Sequence, residues 1–167
     1  MRALTGVVTR DGLRQPDRGT DAFTAWVDEA EPRLRHALTA SFGPQVGEEA
    51  VADAVGFAWE HWDEIAGKAN PVGYVFGVAR NRARRLSSRR PVRFPIAPAQ
   101  ALPRVEPGLP AALSSLPERQ RLVVTLLYGY EWTMAEVADL LGTKKTTVQN
   151  HAERGLKRLR GQLGVDR

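Results

Sequence analysis

The strongest constraint on the fold is a helix-turn-helix pattern near the C-terminus, between residues 117 and 163. Thr133 is followed three residues later by Glu136, and this spacing lets each side chain bind a free backbone N–H of a helix N-terminus. The apolar positions that follow end at Gly142, a residue that tolerates the left-handed backbone of a helix end. The pattern therefore predicts a short helix that stops in a tight turn.

A longer helix is predicted after that turn, because apolar residues recur every three or four positions from Val148 to Leu163. Its opposite face has hydroxyl, amide and basic side chains. An ordinary solvated face mixes glutamate with lysine, whereas here basic residues far outnumber the single glutamate. Such a face favours a helix that enters the major groove of DNA. The face comprises Thr146, Asn150, Glu153, Arg154 and Lys157, with Thr147 beside it.

Charge is distributed in blocks along the chain, whose net charge is +5. Residues 21–64 hold ten acids and two arginines, whereas residues 65–93 hold one lysine, seven arginines and no acid. An acidic block next to a basic one indicates two different partners, a basic protein surface for the first and a polyanion for the second.

Three helices are predicted within residues 20–86. The first begins near Thr20 or Asp21, and Pro32 is expected to kink it or to break it into two helices. The second, acidic helix runs from about residue 47 to 65 and places at least one of Trp59 and Trp62 in the core. The third opens with Asn70 as its N-cap and Pro71 in its first turn, buries Phe76, and becomes arginine-rich towards residue 86.

A proline-rich stretch without helical periodicity, residues 89–110, separates these helices from the helix-turn-helix. We therefore predict an all-α fold of two small helical domains joined by an extended linker. The predicted segments are a disordered tail (1–20), a first domain (21–90), the linker (91–109) and a second domain (110–167). How the two domains are arranged is not encoded in these patterns, and flexible linkage is the default expectation.

Several classes of protein find no support in the sequence. The chain has no cysteine, and its histidines, His36, His61 and His151, lack the spacing of metal ligands. There is no phosphate-cradling glycine loop and no nucleophile with a base, so an enzyme is not expected, nor is a metal or another cofactor. No apolar run approaches the roughly 20 residues of a membrane span, and the N-terminus lacks the apolar core of a signal peptide. A cytoplasmic protein is expected.

At this point the sequence resembles the extracytoplasmic-function sigma factors of bacterial RNA polymerase, over about residues 21–163. The C-terminal part is similar to the family pattern at Leu116-Pro117, Arg119-Gln120-Arg121, Glu136-Val137-Ala138, Leu141-Gly142 and Thr147-Val148. In the N-terminal part, Ala79-Arg80-Asn81 with Tyr74 and Phe76 resembles the DNA-melting helix, and the acidic helix with Ala58-Trp59 resembles the segment that grips the polymerase clamp.

The resemblance implies that the chain binds core RNA polymerase, through its clamp and flap, and promoter DNA. It is compatible with an inhibitory anti-sigma factor as a further partner, and it implies no membrane insertion. The residues implied for the −35 element are Lys144, Lys145, Thr146, Thr147, Asn150, Arg154 and Lys157. Those implied for the −10 element are Asn70, Tyr74, Arg80, Asn81, Arg84 and Arg85, and those for the polymerase are Glu48, Glu49, Asp53 and Trp59.

One further expectation concerns the start of the recognition helix. The family usually has serine where this chain has Lys144, so the N-cap is expected to shift to Thr143.

Two other interpretations stay open at this stage. A DNA-binding regulator that does not join the polymerase would explain residues 117–163 equally well, but it leaves the acidic and arginine-rich helices without a role. An adaptor or sigma-derived regulator that has lost promoter reading would instead bind the polymerase strongly and the −35 element weakly.

Overall fold

The computed structural model describes residues 18–88 and 106–165, and every regular element within these ranges is a helix. The predicted all-α class is thereby confirmed. Residues 1–17 of the predicted tail and residues 91–105 of the predicted linker lie outside the described ranges. We refer to residues 18–88 as the N-terminal half and to residues 106–165 as the C-terminal half.

The N-terminal half begins with a single long helix, α1 (Arg18–Phe42), which continues through Pro32. The predicted break into two helices at this proline is therefore wrong. Pro32 lies on the exposed side of α1, where water can solvate the carbonyl that loses its N–H partner, while Leu34 and Leu38 are fully buried. The helix ends at Gly43, whose φ of 81° suits glycine.

The predicted second helix is divided in two, α2 (Pro44–Glu60) and α3 (Trp62–Ala66), by a non-helical backbone at His61. The prediction of one helix from residue 47 to 65 is wrong, because the apolar periodicity gives no sign of the non-helical backbone at His61. The turn brings the Trp62 ring to 5.2 Å, centroid to centroid, from both Phe23 and Trp26 of α1. Of the two tryptophans Trp59 and Trp62, it is therefore Trp62 that is partly buried against the core, whereas Trp59 is 51% exposed.

Helix α4 (Pro71–Ser87) follows the predicted pattern closely. The Asn70 side chain caps it by accepting a hydrogen bond from the Gly73 N–H at 2.7 Å, and Pro71 occupies the first turn. Phe76 is buried, as predicted.

The C-terminal half consists of α5 (Leu109–Ser115), α6 (Glu118–Val124) with a wider π-helical turn from residue 125 to 129, α7 (Met134–Leu141) and α8 (Lys145–Leu163). The predicted capping box is present, since Glu136 and Thr133 hydrogen-bond reciprocally. Gly142 has the predicted left-handed backbone, with a φ of 59°.

The two halves share one hydrophobic core, contrary to the default expectation of flexible linkage. Helix α1 packs on α6 and on the π-helical turn, and α4 packs on α7. Leu122 and Leu126 are fully buried in the same cluster as Leu34 and Leu38. A smaller cluster of Ala112, Leu116, Val124 and Leu159 fixes α5 and α8 to α6.

Candidate nucleic-acid interface

Helix α8 is held by its apolar face and leaves its polar face to solvent. Val148, Ala152, Gly155 and Leu159 are buried, and the helix packs on α5, α6 and α7. Of the predicted −35 residues Thr147 is half-buried, and the rest of the set is exposed: Lys144, Lys145, Thr146, Asn150, Arg154 and Lys157. Helical periodicity therefore predicted which side of α8 is exposed.

The N-terminus of α8 is capped differently from the prediction. Lys144, not Thr143, is the N-cap residue, and no side chain accepts a hydrogen bond from the first turn. A lysine side chain has only donors, so it cannot cap the helix. The free N–H groups and the ammonium groups of Lys144 and Lys145 lie at the same end of the helix, where an anion such as a DNA phosphate is stabilised.

The basic side chains of this face have no carboxylate partners among the described residues. The five ion pairs found there involve none of Lys144, Lys145, Arg154 and Lys157. The one acid of the face, Glu153, accepts a hydrogen bond from Gln149 at 2.9 Å. The positive charge of α8 is therefore available to an external polyanion.

The predicted −10 residues on α4 divide between two faces of the helix. At 100° per residue, Tyr74, Asn81 and Arg85 lie within an arc of about 40°, and all three are exposed. Arg80, which is half-buried, and Arg84, which is exposed, lie on the neighbouring face about 100° away, and both contact Glu118 of α6. The helix thus presents only part of the predicted set to solvent.

Asn70 is occupied by contacts within the protein. Its Oδ1 caps α4, and its Nδ2 donates to the backbone carbonyl of Asp139 at the end of α7, at 2.8 Å. The N-cap role was predicted, whereas the contact with a residue 69 positions away has no signal in the sequence.

Arg80 and Arg84 both bind the carboxylate of Glu118, the first residue of α6. The Arg84 Nε lies 2.9 Å from Glu118 Oε2, and the Arg80 Nε hydrogen-bonds the other oxygen. Sequence reasoning missed Glu118 because an isolated glutamate at the start of a helix is explained by the helix dipole alone.

The residues predicted to bind the polymerase lie along α2 and are exposed: Glu48, Glu49, Asp53 and Trp59. The Asp53 carboxylate pairs with Arg82 of α4 at 2.5 Å, and both side chains are about half exposed. Trp59 stands edge-on to Phe23 with ring centroids 5.0 Å apart. This surface is acidic with an aromatic end, which suits a basic, partly apolar protein partner.

No group of side chains within residues 18–88 and 106–165 has the arrangement of a metal site. No helix in the described ranges is both long and apolar enough to span a lipid bilayer.

Two substitutions on α8 separate base reading from phosphate binding. Asn150→Ala should relax the preference at one base pair at a cost of roughly 1–3 kcal/mol, because an exposed amide can pair with a base edge. Lys157→Ala should weaken binding to all sequences alike and lower the salt slope by about 1. Competition binding to a randomised duplex library at several salt concentrations measures both. An unchanged preference for Asn150→Ala, or an unchanged slope for Lys157→Ala, would remove that residue from the interface.

One known protein family matches the helix-turn-helix region of this chain. Residues 108–159 match the family described as sigma-70, region 4. The RNA polymerase sigma factor SigO of Bacillus subtilis (strain 168) is 34% identical over 56 residues, which are 34% of this chain and 32% of SigO. The match thus spans about a third of that relative's length, and it supports the sigma-factor character of this region.

The fold as a whole resembles that of a solved sigma factor. The sigma factor RpoE of Bartonella quintana, in its co-crystal structure with the anti-sigma factor NepR, superposes with a TM-score of 0.63 at 23% identity. The superposition covers 88% of this chain and 99% of that one. Residues 108–159 are thus similar to sigma-70 region 4, and the fold is similar to that of a solved sigma factor.

Proposed function

We propose that the chain is a sigma factor, which binds core RNA polymerase and directs it to start transcription at specific promoters. One observation carries the proposal: a helix-turn-helix of the sigma-70 region 4 type lies in a chain whose described fold superposes on a sigma factor over 88% of its length. A regulator that does not join the polymerase needs only the C-terminal half, and it leaves the N-terminal half of that fold without a function.

In this proposal α8 reads the −35 element in the major groove. Thr146, Thr147 and Asn150 are near the base edges, because they occupy the first two turns of the helix, where recognition helices contact bases. Lys144, Lys145, Arg154 and Lys157 bind phosphates on either side and position the helix.

Helix α4 acts on the −10 element once its strands separate. Tyr74 is 38% exposed and offers a ring on which an unpaired base can stack, while Asn81 supplies an amide for its edge. Arg85 lies on the same face and binds phosphates of the displaced strand. The remaining predicted residues also bind −10 DNA once their contacts with α6 and α7 are broken; these are Arg80, Arg84 and Asn70.

The acidic surface of α2 docks on a basic surface of the polymerase clamp. Glu48 is suited to test this, because it is exposed and has no ion pair among the described residues, unlike Asp53. We expect Glu48→Lys to weaken binding to core polymerase on the order of tenfold, since like charges would then face each other. Fluorescence anisotropy of the labelled chain with core polymerase measures the affinity.

The matched control is Glu29→Lys, an exposed acid on α1 outside the proposed surface. It makes the same change in net charge, so an equal loss of affinity in both variants would assign the effect to overall charge. In that case α2 would not be the clamp-binding helix.

The proposal also covers where in the cell the protein acts and which partners it binds. A factor that joins RNA polymerase on the chromosome acts in the cytoplasm of a bacterium, and it needs no catalytic group of its own. An anti-sigma factor is a further proposed partner, supported by the structural neighbour that was crystallised with one.

Protein-dependent melting of promoter DNA tests the proposed function. We expect core polymerase and this chain together, and neither alone, to make thymines near the −10 element reactive to permanganate. Binding of the chain to duplex DNA without any melting by the complex would favour the regulator.

A further inference from the structure

A basic cleft between α5 and the last turns of α8 extends beyond the predicted −35 residues. Its volume is about 600 Å³, and its lining has three basic side chains and no acid. Two of them, Arg154 and Lys157, belong to the predicted set, whereas Arg158 does not. The lining is completed by Ser115 of α5 and by Gly161 and Gln162 of α8. The α5–α8 cleft therefore has the charge of an anion-binding site.

The basic side chains of the cleft are not neutralised within the protein. None of the five ion pairs within residues 18–88 and 106–165 involves Arg154, Lys157 or Arg158. Arg158 donates from Nη1 to the amide oxygen of Gln120 at 3.1 Å, and this neutral partner orients the guanidinium without cancelling its charge. The other N–H groups of the guanidinium can still bind an external anion.

The two walls of the cleft are joined by a hydrogen bond between side chains. The Ser115 hydroxyl of α5 donates to the amide oxygen of Gln162 on α8, at 2.9 Å. Because the oxygen of Gln162 is engaged, its NH₂ group is the part that an incoming ligand would meet. The cleft thus presents an oriented amide donor next to its guanidinium groups.

Gly161 leaves the cleft open at the surface of α8. It lies inside the helix, where glycine is about 1 kcal/mol less favourable than alanine. A Cβ at this position would meet no atom of the described residues within 4 Å, so internal packing does not require glycine. Gly155 is the contrast on the same helix, because a Cβ there would lie 2.6 Å from Cγ2 of Val124. A glycine that no internal contact requires suits the close approach of an external group to the helix backbone.

The position of the cleft along α8 fits the DNA backbone. Lys157 and Arg158 follow Asn150 by seven and eight positions, which is about 10–12 Å along the helix. The major groove is about 12 Å wide and 8.5 Å deep, so a phosphate on its rim lies about 10 Å from a base edge at its centre. When Asn150 meets a base edge, the cleft is therefore at the height of the phosphates.

The position of the cleft around α8 favours DNA over an acidic protein segment. At 100° per residue, Lys157 lies about 20° from Asn150 and Arg154 about 40° from it. The cleft is therefore continuous with the face that is proposed to read the −35 element. A separate protein partner would be expected on a surface that bound DNA leaves uncovered.

We propose that the α5–α8 cleft binds a phosphate of the DNA backbone beside the −35 element. This inference rests on the proposed function and adds residues to its −35 site. Arg158 binds the phosphate oxygens, Gln162 donates its amide N–H, and Gly161 leaves room for the DNA strand. These contacts fix the orientation of α8 in the groove and do not read the sequence.

Two substitutions in the full chain test the proposal, Arg158→Ala and Gly161→Leu. The first removes a phosphate donor. The second fills the cleft with a side chain that favours the helix, so it should block DNA without destabilising the fold. Circular dichroism and thermal unfolding check that each variant is folded.

Each substitution has a matched control. Arg160→Ala removes the same charge from the same helix, but Arg160 is exposed about 160° away from Arg158 and does not line the cleft. Gly56→Leu makes the same change in α2, at another exposed glycine whose Cβ would meet no atom within 4 Å.

Fluorescence anisotropy with a labelled, mixed-sequence 20-base-pair duplex at several salt concentrations gives the affinity and the salt slope. We expect Arg158→Ala to lower the slope by about 1 and to weaken binding about five- to tenfold. Gly161→Leu should weaken binding to a similar extent, while its unfolding midpoint stays at or above that of the wild type. The two controls should keep the affinity and the slope of the wild type.

Two results would overturn the proposal. Equal losses in Arg158→Ala and Arg160→Ala would assign the effect to total charge rather than to the cleft. Unchanged duplex binding in both folded cleft variants would mean that the cleft does not contact DNA. Binding of a labelled polyglutamate peptide that is lost in Arg158→Ala would then identify an acidic protein segment as its occupant.

The proposed function is tested separately by promoter melting with core polymerase. A chain whose duplex affinity depends on the cleft, but which melts no promoter with core polymerase, would be a DNA-binding regulator. In that case the proposed function would fail and the phosphate-binding cleft would stand.

Discussion

Replacing Arg121 by methionine is expected to lower the free energy of unfolding by about 3–4 kcal/mol, as measured by urea denaturation. The buried Arg121 guanidinium donates from Nε to the carbonyl of Ser41 at 2.8 Å, and from Nη1 to the carbonyls of Leu116 and Ser114 at 2.9 and 3.0 Å. Methionine fills similar space but donates nothing, so three carbonyls lose their partner. Each buried carbonyl left without a partner costs about 1–3 kcal/mol, partly offset because no charge has to be buried.

Arg119→Met is the matched control for this prediction. Arg119 lies on the same helix and is half-buried, and no hydrogen bond or ion pair joins it to another described residue. We expect a change within about 1 kcal/mol. Equal losses in the two variants would mean that the burial of Arg121, rather than its hydrogen bonds to the end of α1, determines the effect.

The second large effect is expected for Gly47→Ala, at the crossing of α1 and α2. A Cβ at this position would lie 2.7 Å from the backbone nitrogen of Thr39 and 2.9 Å from the carbonyl carbon of Leu38. Backbone atoms cannot rotate away, so the two helices would have to move apart. We expect a loss of about 2–3 kcal/mol in unfolding free energy, even though alanine favours the helix by about 1 kcal/mol.

Gly56→Ala, on the same helix, isolates the contribution of helix propensity. A Cβ there would meet no atom within 4 Å. This variant should be stabilised by about 0.5–1 kcal/mol. Thermal unfolding of the two variants side by side should therefore give midpoints on opposite sides of the wild type. A stabilised Gly47→Ala variant would show that α1 and α2 are not in close contact.

Local signals in the sequence predicted the elements that depend on neighbours along the chain. The capping box of Thr133 and Glu136, the left-handed Gly142 and the Asn70 cap each involve residues within four positions, and all three are present. The errors have a different origin. Pro32 is tolerated within a continuous helix because it lies on the exposed side of α1, and the break at His61 accompanies the packing of Trp62 on α1. Both depend on how α1 lies against the other helices, which local preference does not encode.

The same distinction between local signals and long-range contacts applies to the candidate site. Periodicity was sufficient to place the polar face of α8, because that face depends on one helix. The engagement of Arg80 by Glu118 joins residues 38 positions apart, and the buried Arg121 reaches a carbonyl 80 positions away. Contacts across such separations leave no periodic pattern in the sequence. The roles of the predicted DNA-binding and polymerase-binding residues stay predictions for the substitutions above.

Mapping of transcription start sites tests the central claim most directly. Sigma-free core polymerase is given genomic DNA fragments with and without this protein, and the 5′ ends of the transcripts are sequenced. The account predicts defined starts that appear only with the protein and that share two elements, upstream near −35 and −10. A set of starts that is the same with and without the protein, despite binding of the protein to DNA, would contradict it.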